Sequence, residues 1–387
     1  MKMRIPLAKP EITDSDREAV LEVLRTPHLS SGPKVQEFEQ AICEYTGSKY
    51  AVAVNSGTSA LQIVVRALGL EPGAEVILPS FTFSALLNVV LQEGLQPKFV
   101  DIDPESYNTT PELVAAAITE DTQLVIAVHT FGIPADVPGI ISAISSPSRA
   151  ERPRHTIQVI EDACEALGAQ VEGRKAGTLG DAGLFAFYPN KQITTGEGGV
   201  LVTSDERLAR LARILRNQGR DPTLSWEDHA EIGFSYRLSD MNCALGISQR
   251  KRLEHVIEKR RRLAESYDRR LQGIADLVRP PLSSVIGRIS WFAYAARLSD
   301  RFTRADRDWI CESLGEKGIA TGKYFAPLHR QPVLRKRGVS PQPELPNTEF
   351  VADRVIALPF FNELTDVEIE EVCRALEASI HGCRRKT

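Results

Sequence analysis

Two charged residues beside apolar segments are the strongest candidates for chemistry. Asp162 stands at the end of the apolar segment Ile157–Ile160, and Lys191 lies in a Gly/Thr-rich turn between two other apolar segments. A carboxylate in such a position lies close to the core and needs a cationic partner or hydrogen bonds. A lysine in a hairpin turn ordinarily points into solvent, and Lys191 taken alone favours that interpretation. Asp162 and Lys191 indicate a particular chemistry only when they are considered with the other residues that would lie beside them.

A second group of residues could bind a phosphate and a planar ring. The turn at residues 55–60 consists of small residues and opens a helix-like segment. Gly57 permits close approach of the backbone, and free N–H groups with the hydroxyls of Thr58 and Ser59 would cradle a phosphate at the helix N-terminus. Phe83 follows another apolar segment and could stack on a flat ligand. The ordinary alternatives are a Ser/Thr-capped helix for the turn and a core side chain for Phe83.

Together these residues match one kind of ligand. It has a phosphate, a ring nitrogen that needs a carboxylate, a flat face and an aldehyde that a lysine captures. Pyridoxal 5′-phosphate has all four, and its enzymes hold it by a lysine Schiff base and an acidic partner for the pyridinium nitrogen. The motifs therefore predict this cofactor, and they predict no metal site.

Short β-branched segments would position these residues. They alternate with amphipathic segments such as Ser59–Leu68, and several are apolar throughout, as expected for strands covered by helices on both faces. The order strand, helix, strand indicates an α/β fold with a mostly parallel seven-stranded sheet, in which ligands bind beyond the carboxyl ends of the strands. The predicted strands are Ala51–Val54, Val76–Pro79, Lys98–Asp101, Leu124–Val128, Ile157–Ile160, Gly183–Phe187 and Val200–Thr203.

The pattern changes after about residue 245. A long charged helix is predicted over Ser248–Leu271, and its run Arg260–Arg262 indicates a solvated face. A strand at Trp291–Leu298 and helices at Arg304–Lys317 and Thr365–Ile380 follow. We therefore predict a large α/β domain over residues 1–245 and a smaller α+β domain over residues 246–387.

The composition of the 387 residues excludes several classes of protein. Hydrophobic residues make up 42% and charged residues 25%, and 47 Lys+Arg against 51 Asp+Glu leave a net charge of −4. These values argue against disorder, a coiled coil and a nucleic-acid-binding surface. The six cysteines form no C-x-x-C pair, Met1–Pro10 contains no apolar signal core, and the most apolar window, Phe81–Leu91, is too short to span a bilayer. We expect a soluble cytoplasmic protein with reduced thiols and no membrane or nucleic-acid partner.

A set of segments spread over nearly the whole chain forms an ordered series of motifs. They are Ser31–Glu39, Asn55–Leu61, Phe99–Pro104, Val128–Asp136, Ile160–Ala169, Phe187–Gly199, Tyr236–Asp240 and Pro327–Pro332. Their order resembles that of the DegT/DnrJ/EryC1/StrS family of sugar aminotransferases. The resemblance implies a fold-type I, pyridoxal-phosphate-dependent transferase that forms a homodimer with shared active sites.

The resemblance also implies roles for individual residues. Lys191 forms the Schiff base with the cofactor, and Asp162 pairs with the pyridinium nitrogen, which keeps the ring protonated and able to accept electrons. Gly57 and Thr58 fall where the family holds the phosphate. Phe83 falls on the position of the aromatic ring that stacks on the cofactor.

Two positions of the cofactor site depart from the usual family pattern. Ala186 stands where many members have a serine that contacts the phosphate, and Ser235 stands where many have an asparagine that reaches the same phosphate across the dimer. Because Ala186 cannot donate a hydrogen bond and Ser235 is shorter than asparagine, we expect the phosphate to depend more on backbone N–H groups or on Ser59.

The resemblance also implies a role for Glu165, which falls on a position that faces the 3-hydroxyl side of the cofactor.

The reaction implied by the resemblance is a ping-pong transamination. An amino-acid donor, typically glutamate or glutamine, gives its amino group to the cofactor, and a keto-sugar then takes it. Lys191 moves the proton as general acid and base. The usual acceptor is a nucleotide-diphosphate 3- or 4-keto-hexose, often 6-deoxy, on the way to a glycan or a secondary metabolite. Tyr188, Arg237 and His329 are candidates for the substrate side, and a structural role is equally compatible with His329.

Other functions fit the sequence less well. Deoxysugar dehydratases related to this family replace the lysine by histidine, so Lys191 argues against that activity. A non-catalytic regulatory or scaffolding dimer would not need Lys191, Asp162 and the Gly-rich turn together. A Rossmann oxidoreductase is disfavoured because no strand is followed by G-x-G-x-x-G.

Overall fold

In a computed structural model the chain forms one large sheet and two small ones. The structure describes residues 3–146, 154–225, 227–281, 286–339 and 343–384. The strands, in chain order, are β1 Tyr50–Val54, β2 Glu75–Pro79, β3 Gln96–Val100, β4 Thr122–Val128, β5 Gln158–Asp162, β6 Gln170–Val171, β7 Arg174–Lys175, β8 Ala182–Ala186, β9 Gly199–Thr203, β10 Leu277–Val278, β11 Gly287–Arg288, β12 Tyr294–Leu298 and β13 Val355–Leu358.

The large sheet has seven strands in the order β1-β9-β8-β5-β4-β2-β3. All of them coincide with the strands predicted from the sequence, with ends that differ by at most two residues. β9 runs antiparallel to both of its neighbours, and the other strands run parallel to one another. The prediction of a mostly parallel α/β sheet is confirmed. The carboxyl ends of the parallel strands and the amino end of β9 meet at one edge.

The helices cover both faces of this sheet. In β4, Leu124 and Ile126 pack into one hydrophobic cluster, whereas Val125 and Ala127 pack into another on the opposite face. This double burial explains why the strand is apolar throughout. The helices are α1 Asp14–Leu24, α2 Pro33–Thr46, α3 Gly57–Leu68, α4 Ala85–Gln92, α5 Pro111–Ala117, α6 Val137–Ser145, α7 Glu206–Arg216, α8 Asp240–Lys251, α9 Leu253–Leu271, α10 Arg304–Glu316, α11 Pro332–Lys336, α12 Pro346–Ala352 and α13 Asp366–Arg384.

The predicted helix over Ser248–Leu271 is instead two helices, α8 and α9. The break lies at Arg252, whose backbone leaves the helical region (φ −109°, ψ 11°). The Arg252 guanidinium pairs with the fully buried Asp16 at 2.7 Å and with Glu11 at 3.3 Å. The sequence pattern does not reveal this break, because the partners of Arg252 lie more than 230 residues away.

A second sheet, in the order β10-β12-β13, lies in the C-terminal part of the chain and packs with α9, α10 and α13. Its hydrophobic cluster also contains Phe81 and Phe131 from the N-terminal part. A third sheet pairs β11 with β6, so it also joins the two parts. The boundary at residue 245 stays a prediction. Within the described ranges, no helix is both long enough and apolar enough to cross a membrane.

Candidate active site

A cavity of about 410 Å³ lies at the edge where the parallel strands end. Residues at and after the carboxyl ends of β1, β5 and β8 line it, as do residues that precede β9. Three aromatic side chains, Phe292, Tyr324 and Phe325, reach it from the C-terminal part. The predicted site residues that line this cavity are Gly57, Thr58, Phe83, Asp162, Glu165, Tyr188 and Lys191.

Lys191 lies in the loop between β8 and β9 and points into the cavity rather than into solvent. The turn closes through a hydrogen bond from the Lys191 N–H to the Tyr188 carbonyl oxygen at 3.0 Å. The side chain is only 13% exposed, and its Nζ lies 3.5 Å from Glu165 Oε1. On another side, Nζ lies 4.2 Å from the centre of the Phe292 ring. The surroundings therefore contradict the solvent-exposed hairpin lysine that the sequence alone favoured.

Asp162 is the last residue of β5, and its neighbours fix it in place. Its Oδ1 accepts a hydrogen bond from the Cys164 N–H at 3.0 Å. The preceding residue, Glu161, is fully buried and anchors the end of the strand. Its carboxylate accepts hydrogen bonds from the N–H groups of Gly177, Leu179 and Gly180 and contacts His129 Nε2 at 3.0 Å.

The N-terminus of α3 provides unpaired donors beside the cavity. Ser56 caps the helix by accepting the Ser59 N–H at 3.0 Å, which leaves the N–H groups of Gly57 and Thr58 without an acceptor among the described residues. A Cβ on Gly57 would lie only 2.9 Å from Ala186 Cβ and 3.0 Å from Cys164 Sγ. Glycine is therefore required for this close approach. The free N–H groups and the positive end of the helix dipole together suit an anion.

Glu165 faces Lys191 from a buried position. Its Oε2 accepts the N–H of Phe131 at 3.0 Å, and Phe131 has a positive φ of 57° that aims this N–H at the carboxylate. Burial raises the pKa of Glu165 above its usual value, and the Lys191 ammonium opposes part of this increase. The buried carboxyl lies beside the Lys191 amine and lines the cavity, where it can contact a ligand.

The mouth of the cavity carries two exposed aromatic rings. Phe83 is 61% exposed and Tyr188 is 53% exposed, although both side chains line the cavity. An apolar ring left open in this way can stack on a planar ligand. The alternative of a core side chain for Phe83 is wrong.

Four of the predicted residues lie outside the cavity lining. Ser59 is buried in the cap of α3, where its Oγ donates to Asn55 Oδ1 at 2.6 Å. Ser235 is exposed beyond α7, and Arg237 lines a separate cavity of about 650 Å³. His329 joins the loop after β2 to helix α12, with Nδ1 at 2.6 Å from Ser80 Oγ and Nε2 at 3.0 Å from Glu349 Oε1. These contacts give His329 a structural role.

Several residues of the site were not found from the sequence. Asn190 lines the cavity, and its buried Oδ1 has no hydrogen-bond partner within the part of the chain that the structure describes. Gln192 fixes the Lys191 loop by donating to the carbonyl oxygens of Glu165 at 2.7 Å and Ser290 at 2.9 Å. Asn190 and Gln192 flank Lys191 within the motif Phe187–Gly199, and this position is the signal that could have pointed to them.

Comparisons with known proteins agree with this geometry. The sequence model of the DegT/DnrJ/EryC1/StrS aminotransferase family matches residues 10–377. Helicobacter pylori PseC, described as an aminotransferase involved in the biosynthesis of pseudoaminic acid, is similar in structure, with 26% identity, a TM-score of 0.91 and coverage of 99% of this chain and 100% of PseC.

Two further structures are similar over most of their length. The PLP form of the Streptococcus pneumoniae sugar aminotransferase Spr1654 has 25% identity and a TM-score of 0.90, with coverage of 98% of this chain and 99% of that protein. DesI, crystallised in the presence of its TDP-sugar product, has 30% identity and a TM-score of 0.87, with coverage of 100% of this chain and 95% of DesI.

Proposed function

Because the chain belongs to the DegT/DnrJ/EryC1/StrS aminotransferase family and is a pyridoxal-phosphate-dependent sugar aminotransferase, we propose a specific reaction within that class. It transfers the amino group of glutamate, or alternatively glutamine, to a nucleotide-diphosphate 3- or 4-keto-hexose, including 6-deoxy forms. We place this reaction in the cytoplasm, in the biosynthesis of amino sugars for a glycan or a secondary metabolite.

One observation carries the proposal: Lys191, Asp162 and the free N–H groups of α3 line a single cavity. This set fits pyridoxal phosphate. The free N–H groups at the start of α3 suit a phosphate. The buried Oδ1 of Asn190, which has no hydrogen-bond partner among the described residues, offers an acceptor to a ligand. Phe83 supports the same assignment because it presents an open ring at the mouth.

The residues of the cavity have distinct roles in the proposed reaction. When bound, pyridoxal phosphate supplies an aldehyde for amino groups and a ring that withdraws electrons from the carbon that loses its proton. Lys191 holds the aldehyde end and, as a free amine, removes a proton from one carbon and returns it to another. Asp162 stabilises positive charge at the ring nitrogen, because an opposite charge nearby favours the protonated form. Glu165 faces the Lys191 amine and would lie on the 3-hydroxyl side of the ring.

The proposed acceptor is supported by the similarity to DesI, whose structure was determined with a TDP-sugar product. Tyr188 is the substrate candidate that lines the cavity. Arg237 and Ser235 could serve only from a partner subunit, because both lie outside the cavity of their own chain. We therefore propose a homodimer in which these two residues complete the partner's site.

A panel of nucleotide keto-sugars tests the proposal. The purified enzyme is incubated with glutamate or glutamine and each keto-sugar, and the products are examined by NMR. We expect a new C–N bond at C3 or C4 of one sugar and conversion of glutamate to 2-oxoglutarate. A product that lacks a hydroxyl and carries no new amino group would indicate a dehydratase instead. Absence of any product with an intact, cofactor-loaded protein would contradict the proposed substrate class.

A further inference from the structure

Arg260 is a buried member of a run of three arginines on α9. It is 2% exposed, whereas Arg261 and Arg262 lie near the surface and pair with Glu258. The helical repeat explains the difference, because Arg260 falls three residues after Ile257 on the stripe that faces the core. The prediction of a solvated face is therefore wrong for Arg260.

The guanidinium of Arg260 joins separate segments of the chain. Its Nε donates to Asn362 Oδ1 at 2.9 Å, and its Nη1 donates to the carbonyl oxygens of Trp291 at 3.3 Å and Phe292 at 3.1 Å. Its Nη2 donates to the carbonyl oxygen of Lys191 at 3.2 Å. Burial lowers the pKa of Arg260 to about 10.

These hydrogen bonds connect the two residues of a cation–π contact in the cavity, Lys191 and Phe292. Lys191 carries the amine, and the Phe292 ring lies 4.2 Å from that amine. Arg260 holds the main chain of both residues, so the planar guanidinium sets the distance between them. Arginine suits this position because its rigid fork presents donors in several directions, whereas the lysine ammonium is a compact group on a flexible stem.

We propose that Arg260 is a positioning residue for the amine of Lys191, acting by joining the loop of Lys191 to the segment of Phe292 so that the Phe292 ring covers the amine. The proposal rests on the function proposed above for Lys191. The covered amine stays in one place, and Glu165 Oε1 approaches it to 3.5 Å. A displacement of this amine would reduce the rate of proton transfer more than substrate binding.

Variants of both residues test this positioning role. Arg260→Gln removes the fork and the charge, and Arg260→Lys keeps the charge but not the fork. Phe292→Leu removes the ring and leaves the carbonyl oxygen that Arg260 binds, so it tests the contact even if substitution of Arg260 prevents folding. Arg307→Gln is the matched control, because Arg307 is also buried and donates to the carbonyl oxygens of Ala352 and Val355, outside the cavity lining.

The first measurement uses the cofactor-free protein and needs no substrate. Acetic anhydride acylates the unprotonated amines of accessible lysines, and mass spectrometry at one fixed pH compares Lys191 with the exposed Lys251. We expect Lys191 to be labelled several-fold faster in both Arg260 variants and in Phe292→Leu than in the wild type. Arg307→Gln should lower Tm and leave the Lys191 labelling ratio unchanged. An unchanged ratio in Phe292→Leu, or a wild-type ratio in Arg260→Lys, would overturn the proposal.

The second measurement uses the loaded enzyme with its sugar substrate. We expect both Arg260 variants to lower kcat about 100-fold with a small change in KM, and Arg307→Gln to keep the wild-type kcat. Rescue of kcat by Arg260→Lys would overturn the role of the fork. If the wild type transfers no amino group but the labelling follows the expected pattern, the proposed function fails and the positioning of the amine by Arg260 stands.

Discussion

Lys191 gains its proposed role from its surroundings rather than from its own chemistry. An isolated lysine in a hairpin turn is a solvated cation, but here the side chain is enclosed by Glu165, Phe292 and the wall of the cavity. Sequence motifs identified Lys191 and Asp162 as a pair. The contacts with Phe292 and Arg260 could not be identified from the sequence, because nothing near Lys191 indicates which distant aromatic or cationic side chain will fold against it.

Substitution of Lys191 by alanine should separate catalysis from binding of the cofactor. We expect Lys191→Ala to lower kcat by about 10²–10⁴-fold, because Lys191 carries the one amine among the described residues that line the cavity. Pyridoxal phosphate should still bind without a covalent bond, since the donors of α3 and Asp162 remain. Steady-state kinetics and absorbance after gel filtration measure the two effects. Lys175→Ala, which removes a similarly enclosed lysine that pairs with Glu254, is the control and should leave kcat unchanged.

The raised pKa of Glu165 predicts a dependence of stability on pH in the cofactor-free protein. A carboxyl whose pKa is raised by folding holds its proton more tightly in the folded state. The free energy of unfolding therefore falls as the pH rises from the unfolded pKa of about 4.3 through the higher folded value. Glu165→Gln has no proton to lose, so its Tm relative to the wild type should rise with pH across this window. A Tm difference that is constant with pH would contradict the raised pKa.

At the scale of elements, β1, β5 and β8 bring the site together. Their residues lie far apart in sequence, and parallel pairing places their carboxyl ends at one edge. Strands such as β4 were predictable because burial on both faces leaves continuous apolar segments, and the others because short β-branched segments alternate with amphipathic ones. The division of Ser248–Leu271 into two helices was not predictable, since Arg252 at the break contacts Asp16, which lies 236 residues away in the chain.

The start of α3 provides a test of the anion site. Gly57→Ala should displace the start of α3, because its Cβ would meet Ala186 and Cys164. The displaced N–H groups should weaken binding of pyridoxal phosphate at least about tenfold. The free energy of unfolding should fall by less than the about 1–3 kcal/mol typical of overpacking, since alanine is favoured over glycine in a helix by about 1 kcal/mol. An absorbance titration and thermal unfolding measure the two quantities.

Gly315→Ala is the control for this substitution, because Gly315 is also helical and its Cβ would have only Met3 Cε, at 3.9 Å, nearby. It should raise Tm slightly and leave cofactor affinity unchanged. Equal cofactor affinity in Gly57→Ala and the wild type would argue against a phosphate at this helix.

At the scale of the whole molecule, the proposed homodimer accounts for residues that the single chain leaves unused. Ser235 is exposed, and Ile232, three residues before it, is 84% exposed. Single apolar side chains with such exposure are common on protein surfaces. Ile232, however, lies on the segment that we expect to reach the partner's site. A subunit interface here would bury Ile232 and bring Ser235 to a second cavity.

Ile232→Asp should therefore disrupt the dimer. We expect the dimer dissociation constant to rise at least about tenfold, because the contact loses a buried aliphatic side chain and gains a charge. Cofactor affinity should fall in parallel. Light scattering after gel filtration at decreasing concentration measures the mass. Val367→Asp is the matched control, since Val367 is 78% exposed on α13 and should leave the dimer intact. A wild type that is monomeric at working concentration would contradict the shared site.

The sequence by itself determined the seven strands and their mostly parallel arrangement, and it singled out Lys191 and Asp162 as site candidates, because these depend on local hydrophobic patterns and on motifs at strand ends. Only the tertiary structure decided that His329 is a structural residue, that Ser59 is enclosed in a helix cap and that Arg260 is buried beside Lys191. The physical reason is that such roles depend on contacts between residues distant in the chain. Burial and hydrogen bonding at those contacts give the same side chain a different role from the one that its neighbours in sequence indicate.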